Sequence, residues 1–296
     1  MNINKDLLAT CWTWAGNAAP LRGDEKSPLN IHRRVRAVSD AGWRGIGLIH
    51  ADLPIIQAEL GFDNFRQKLL DEGIEHVELE FLANWWKTGD LRKASDLQRG
   101  YLLESANALG AQTIKIGGEL SFDDEPASVD EEAFANEFDA LATQAGNAGV
   151  RVALEPMPMN NVRTIPRGAE FVRQIGNPHG GLTIDTWHVA RSGTNYADLP
   201  KILPMDFVFV VEIDDARSDV VGTLWEDTIN TRLNPGEGDL DPVNFVVSMY
   251  QAGWRGHWGV EIISEEQRTK AVEEAVEHTY DAAVRVLQDA ERILAS

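Results

Sequence analysis

Along this chain, short apolar runs rich in Val, Ile, Leu and aromatic residues alternate with longer stretches of helical spacing, and that alternation narrows the choice of fold more than any other feature. Eight such runs are legible: LLATCWTWAG, GIGLIHADL, HVELEFLANWW, QTIKIGGEL, RVALEPMP, GLTIDTWH, DFVFVVEIDD and HWGVEIIS. Each is bounded by Gly, Pro, Asn or Asp, as strands are. Between them, Ile31, Val35 and Val38 share one face of a segment that opens on Ser-Pro and stops at Gly42. The stretch ending at Gly110 has the same pattern, and the one opening on VDEE carries acids in its first turn, where the helix dipole favours them. Val272, Val276, Thr279, Ala283 and Leu287 mark an apolar stripe along the C-terminal segment. Regular alternation of strand and helix implies a parallel sheet covered by helices. Eight units in 296 residues predict an α/β fold, a (β/α)8 TIM barrel, with residues 1–296 as one domain. An open doubly wound sheet would carry a glycine-rich phosphate loop after its first strand, and none follows LLATCWTW.

Composition narrows the partners. The formal net charge of −20 repels phosphate backbones and anionic membrane surfaces, so no nucleic-acid and no membrane partner is expected. A single cysteine, Cys11, excludes an intramolecular disulfide and a cysteine-rich zinc site, and suits a reducing compartment. MNINKDLLATCWTWAG lacks a charged segment followed by a long apolar one, so no signal peptide is expected, and no run approaches the ~20 apolar residues of a membrane span. The expected location is cytoplasmic, and long terminal helices are compatible with a homo-oligomer.

The chemistry gathers at the ends of the apolar runs, which in such a barrel converge on the active site. The fifth ends on Glu155, the sixth on Asp185 followed by His188; the seventh carries Glu212 and Asp214, and the eighth Glu261. Carboxylates meeting in a barrel mouth repel one another unless protonated, paired or bound to a cation. A hard dication, Mn²⁺ or Mg²⁺, suits an all-oxygen set. Pairing with Arg217, Arg163 or Lys115, or capping of the following helices, is the competing account of each acid taken singly.

Taken in order, ALEP, IDTWH, PGEGDLD and GVEIIS resemble the xylose-isomerase-like barrels, a superfamily of sugar phosphate isomerases and epimerases that includes dehydratases and an apurinic-site endonuclease branch. The resemblance implies metal ligation by Glu155, Asp185, Glu212 and Glu261, with Glu155 and Glu261 also exchanging a proton beside a substrate carbonyl. A histidine is usual where this chain has Glu212, and Asp214, two residues on, is a substitute ligand or a partner behind the metal. His188 matches a substrate-binding histidine. The implied activity is metal-dependent isomerisation or epimerisation of a small sugar, polyol or keto acid, with dehydration of a keto-sugar or inosose as the alternative.

Other residues enter as candidates from position alone. Arg217 is a candidate for binding a substrate oxygen or for neutralising surplus acids, and His50 and Lys115 for facing the pocket, as is Glu80. Trp12, Trp14, Trp85 and Trp86, near the ends of the first and third runs, suit the C–H faces of a carbohydrate but equally suit a core. RLNPGEGDLD offers backbone amides to an anion, or merely a turn with Asp239 or Asp241 as a cap. No Arg/Lys phosphate cradle stands at the strand ends, which favours an unphosphorylated substrate. An endonuclease would need a basic groove and many histidines, against seven here, and a non-catalytic sugar-binding barrel is the remaining reading.

Overall fold

A computed structural model describes residues 2–122 and 127–296. Eight parallel strands close on themselves in sequence order: β1 (Leu7–Ala9), β2 (Gly45–Ile49), β3 (His76–Leu82), β4 (Thr113–Ile116), β5 (Arg151–Leu154), β6 (Gly180–Asp185), β7 (Val208–Ile213) and β8 (Trp258–Val260). The closing pair is β1 with β8, Leu8 opposite Gly259. The (β/α)8 barrel expected from the alternation is the observed fold. Strands of such a sheet are covered on both faces, which is why they read as continuous apolar runs rather than as alternating ones.

Helices wrap the outside and carry the main core between themselves and the sheet. The stripe predicted on the C-terminal segment lies along the helix Val272–Ala295, with Val276, Ala283 and Leu287 buried against the barrel. Its one polar member, Thr279, is also buried and donates its hydroxyl to Asn234 Oδ1 at 2.7 Å. The helix Ile31–Ala41 begins where Asn30 accepts backbone N–H bonds from His32 and Arg33, and ends at Gly42, whose φ of 100° only glycine adopts without strain.

Two departures from the sequence reading matter for the site. The first run is strand only over Leu7–Ala9; from Cys11 to Trp14 the chain makes a helical turn. Thr10 and Thr13 cause this by donating their hydroxyls to the Val260 carbonyl at 3.1 and 2.7 Å, which folds the chain over the barrel rim. Between β2 and β3, where the periodicity named no helix, there are two, Leu53–Glu59 and Phe62–Asp71.

Two glycines let the rim close around the acids. A Cβ on Gly259 would stand 2.8 Å from Glu212 Cγ, and one on Gly47 would stand 2.6 Å from Glu80 Oε1 and 2.9 Å from the Cys11 nitrogen. Gly47→Ala therefore has to displace the Glu80 carboxylate or the Cys11 turn. Overpacking of this kind costs about 1–3 kcal/mol; urea denaturation should give a loss in that range, and unchanged stability would mean that the rim is not tightly packed there.

Candidate active site

Glu155 follows β5, Asp185 ends β6, Glu212 lies near the end of β7 and Glu261 follows β8. Parallel register brings them level, Asp185 lying opposite Glu212 and Glu212 opposite Gly259. All four acids are buried, and each offers an oxygen within 4.8 Å of the others'. Glu80 on β3 and Asp214 after β7 are buried beside them.

Two buried cations are threaded through this set. Lys115, on β4, places its ammonium 2.7 Å from Glu80 Oε2, 2.8 Å from Glu212 Oε1 and 3.2 Å from Glu261 Oε1. Arg232 bonds Asp185 Oδ2 at 2.8 Å through Nη1, which also contacts Asp214 Oδ2, and its Nη2 lies 3.4 Å from Glu261 Oε2. Thr228 Oγ1 accepts from both Nε and Nη2 of the same guanidinium, at 3.2 and 2.9 Å, which fixes its plane. His188, in the short helix Thr186–Arg191, places Nε2 3.3 Å from Glu155 Oε1 and 3.4 Å from Arg232 Nη2. The Asp185 carboxylate starts that helix by accepting the His188 backbone N–H at 2.9 Å, so one acid serves both as cap and as cluster member.

Charge is unevenly shared. Burial alone would lower the Lys115 pKa, but Glu212, Glu261 and Glu80 outweigh it and hold the ammonium well above its usual range. Burial, reinforced by Glu261, Glu155 and Glu80, pushes the Glu212 carboxyl well up against the pull of Lys115. Asp214 is likewise raised by burial and by Asp185, and Glu261 by burial and by Glu155 and Glu80. Glu155 goes the other way: although burial opposes it, His188, Lys115 and Arg232 bring it down to about 2. Burial and mutual repulsion thus push Glu212, Asp214 and Glu261 up, while Glu155 is brought down.

Above the set opens a cavity of about 250 Å³. Glu155, Glu261, His188, Arg232, Glu80 and His50 supply its polar lining, together with Glu25, Gln98 and Thr228. The remaining wall is largely apolar, with Trp12, Phe81, Met157, Met159, Trp225 and Ile263 among its members. His50, after β2, faces this space, its imidazole pKa lowered by burial despite Glu25 and Asp52.

Lys115 lies behind the carboxylates and is not part of the cavity wall. The structure does not bring Arg217 or Trp14 to the cavity. Asp215 accepts backbone N–H bonds from Ala216, Gly236, Gly238 and Leu240 at 2.8, 3.0, 3.0 and 2.9 Å, so it is the anion held by the glycine-rich turn. That tie bends the exit of β7 outward and leaves Arg217 exposed. Trp14 lies two residues from Trp12 on a helical turn, roughly 200° around its axis. Trp12 consequently faces the cavity, while Trp14 is buried in the core, donating to the Gly47 carbonyl at 2.9 Å beneath the Arg34 guanidinium. Trp85 and Trp86 are also away from the cavity, bonded to the Gly117 carbonyl and to Glu119 Oε2 at 2.8 and 3.1 Å. Arg163 donates to the Pro158 carbonyl at 3.0 Å, so of the cations named as alternative partners only Lys115 reaches the acids.

Arg232 was not legible as a site residue. It sits between isolated β-bridges, Thr231 with Ser264 and Leu233 with Asp215, which insert its segment between the ends of β7 and β8. The only signal in the sequence was the surplus of strand-end acids, which demanded a buried cation without saying which.

Comparison with known proteins follows the same lines. Over 154 residues the chain is 30% identical to an inosose isomerase of Halalkalibacterium halodurans, covering 51% of this chain and 53% of that one. It is 24% identical over 237 residues to a 3-dehydroshikimate dehydratase of Pseudomonas putida, covering 79% of this chain and 36% of that one. The chain thus spans about half the length of the inosose isomerase, and less of the dehydratase. Among solved structures, the IOLI protein with a bound zinc atom superposes with a TM-score of 0.79 at 18% identity, covering 96% of this chain and 98% of that one. An L-ribulose 3-epimerase does so at 0.72 and 17%, covering 98% and 96%; at these identities the likeness is one of fold. The sequence profile that matches residues 35–282 is decisive for kinship: the chain belongs to the xylose isomerase-like TIM barrel family.

Proposed function

We propose that this protein is a divalent-metal-dependent isomerase or epimerase of a small sugar, polyol or keto acid, acting by proton transfer at the carbon beside a carbonyl. The observation that carries the reading is the convergence of Glu155, Asp185, Glu212 and Glu261, with ligand oxygens within 4.8 Å of one another, beside a cavity that Glu155 and Glu261 line. The residues fit a cation on a second ground: Glu212 Oε2 is buried without a hydrogen-bond partner, and a buried acceptor left bare is costly. Four carboxylates would hold the ion, and an all-oxygen set favours Mn²⁺ or Mg²⁺. When bound, such an ion supplies Lewis acidity toward a carbonyl or hydroxyl oxygen.

The chain's own groups supply the proton traffic. Glu155 and Glu261 border the cavity from strands three apart in the barrel order, so they approach a substrate from different sides. One removes the proton and the other returns it; their pKa values, pushed in opposite directions, suit such a division. His188 and the cavity-facing edge of Arg232 donate to substrate oxygens, and Trp12 and Trp225 cover the carbon skeleton. Dehydration is the second reading, because it uses the same proton abstraction and because similarity to the dehydratase extends over 79% of this chain, against 51% for the inosose isomerase.

Protein loaded with Mn²⁺ and supplied with ketoses, inososes and keto acids in D₂O should place solvent deuterium beside the carbonyl of one of them. Glu155→Gln and Glu261→Gln should each lower kcat by about 10²- to 10⁴-fold. Product masses separate epimerisation from loss of water. No exchange and no turnover across the panel would overturn the reading.

Metal removal has its own signature. Glu212, Asp214 and Glu261 have folded pKa values above the unfolded ones, so the stability they confer is present at low pH and is lost as pH rises through the folded values. The chelated protein should therefore have a higher Tm at about pH 6 than at about pH 8. Saturating Mn²⁺ should flatten that trend, since proton and cation compete for the same oxygens. Glu155 has the opposite sign, but its contribution is lost only as pH falls from about 4.5 toward about 2, outside this window. A flat profile with and without chelator would count against the cation site.

A further inference from the structure

Of the two buried cations among these acids, Arg232 lines the cavity and Lys115 does not. Its ammonium lies 2.8 Å from Glu212 Oε1 and 3.2 Å from Glu261 Oε1, with a third bond of 2.7 Å to Glu80 Oε2. These contacts are selective by oxygen. Glu212 gives Oε1 to the lysine and leaves Oε2 buried and unpartnered, while Glu261 gives Oε1 to the lysine and turns Oε2 toward Arg232. Lys115 therefore occupies one oxygen of Glu212, leaves the other unpartnered and cancels part of the carboxylate's charge.

We propose that Lys115 is a positioning residue for metal binding, which rests on the cation-bearing reading above. Lys115 and Glu212 act as one unit, equivalent in charge to a neutral ligand, so that the four ligating acids present less negative charge to a cation than their number suggests. Two features separate this from a lysine that merely neutralises acids so that the barrel can fold. Glu212 is itself one of the four acids with ligand oxygens within 4.8 Å of one another, and its Oε2 is buried without a hydrogen-bond partner. The ammonium is held from β3, β7 and β8 together, so it cannot swing out to solvent when a second cation arrives.

A unit of this kind has a signature in a double-mutant cycle that independent residues lack. Glu212→Gln removes a charged ligand and leaves the ammonium facing the incoming dication with one compensating charge fewer. Mn²⁺ affinity, read from the free-ion electron paramagnetic resonance signal, should fall by more than about 100-fold, two close like charges being costly in a poorly screened interior. Lys115→Met in that background removes the unit as a whole, and affinity should recover by at least about tenfold relative to Glu212→Gln alone. Where that double variant does not fold by circular dichroism, the pair Glu212→His and Lys115→Gln/Glu212→His gives the same comparison with a neutral ligand retained. Recovery in either pair supports the proposal. Wild-type binding combined with simple additivity of the two losses overturns it while leaving the metal reading intact. Failure of the wild-type protein to bind Mn²⁺ overturns the metal reading, and this proposal with it.

Discussion

The organisation of the barrel mouth follows from one electrostatic constraint: Glu80, Glu155, Asp185, Glu212, Asp214 and Glu261 are all buried at one end of the sheet. Taking a bare carboxylate out of water is prohibitive, and a buried ion pair recovers that cost only with good geometry. Lys115 and Arg232 each bridge three of these acids, and His188 attends Glu155. Even so, six carboxylates exceed two permanent cations and one imidazole. Burial and mutual repulsion push Glu212 and Asp214 toward their protonated forms, and a further cation would relieve the same deficit.

Backbone geometry makes this concentration of charge feasible. Parallel register puts equivalent strand ends level, so acids far apart in sequence meet at one height. Glycine at 47 and 259 removes the Cβ atoms that would collide with Glu80 and Glu212. The positive side is built with equal care. Arg232 is held by backbone bridges on both flanks, by Thr228, and by the Trp187 ring 5.3 Å from its guanidinium carbon. Trp187 is anchored in turn by Asp227, which accepts its indole N–H at 2.9 Å and the Arg191 Nε at the same distance. A guanidinium so fixed acts as a preorganised donor, which costs no reorientation when charge develops nearby.

What the sequence disclosed and what it withheld divide along the range of the interactions involved. Strands, several of the longer helices and the acids at strand ends were legible because each depends on local pattern: period, bounding glycines, an acid after an apolar run. The seventh strand's Glu212 was visible, but its partner Lys115 is 97 residues away and could be offered only as one of three cations to pair with the acids, or as a residue facing the pocket. Arg232 meets Asp185 across 47 residues and belongs to no periodic element, so nothing local marked it. Arg217 and Trp14 misled for a related reason. Each has the right chemistry near the right strand, but a turn of backbone decides where it points: the tether of Asp215 in one case, the helical turn Cys11–Trp14 in the other. The glycine-rich PGEGDLD segment does bind an anion through its amides, and that anion is a side chain of this protein.

The apolar wall is the counterpart of the charged floor. Trp12, Phe81, Met157, Met159, Trp225 and Ile263 surround the space above Glu155 and Glu261. Side chains of this kind keep the local dielectric low, and there a fixed charge acts more strongly than it would in water. Abstraction of a proton beside a carbonyl creates negative charge on an oxygen that water would otherwise have to solvate. In this cavity the Arg232 guanidinium stands 3.4 Å from Glu261 and the His188 ring 3.3 Å from Glu155, so in the proposed reaction these donors would be in place before a substrate arrives. The fold thus sets its buried acids against a largely apolar wall, and the desolvation that makes them expensive to bury also strengthens the interactions among their charges.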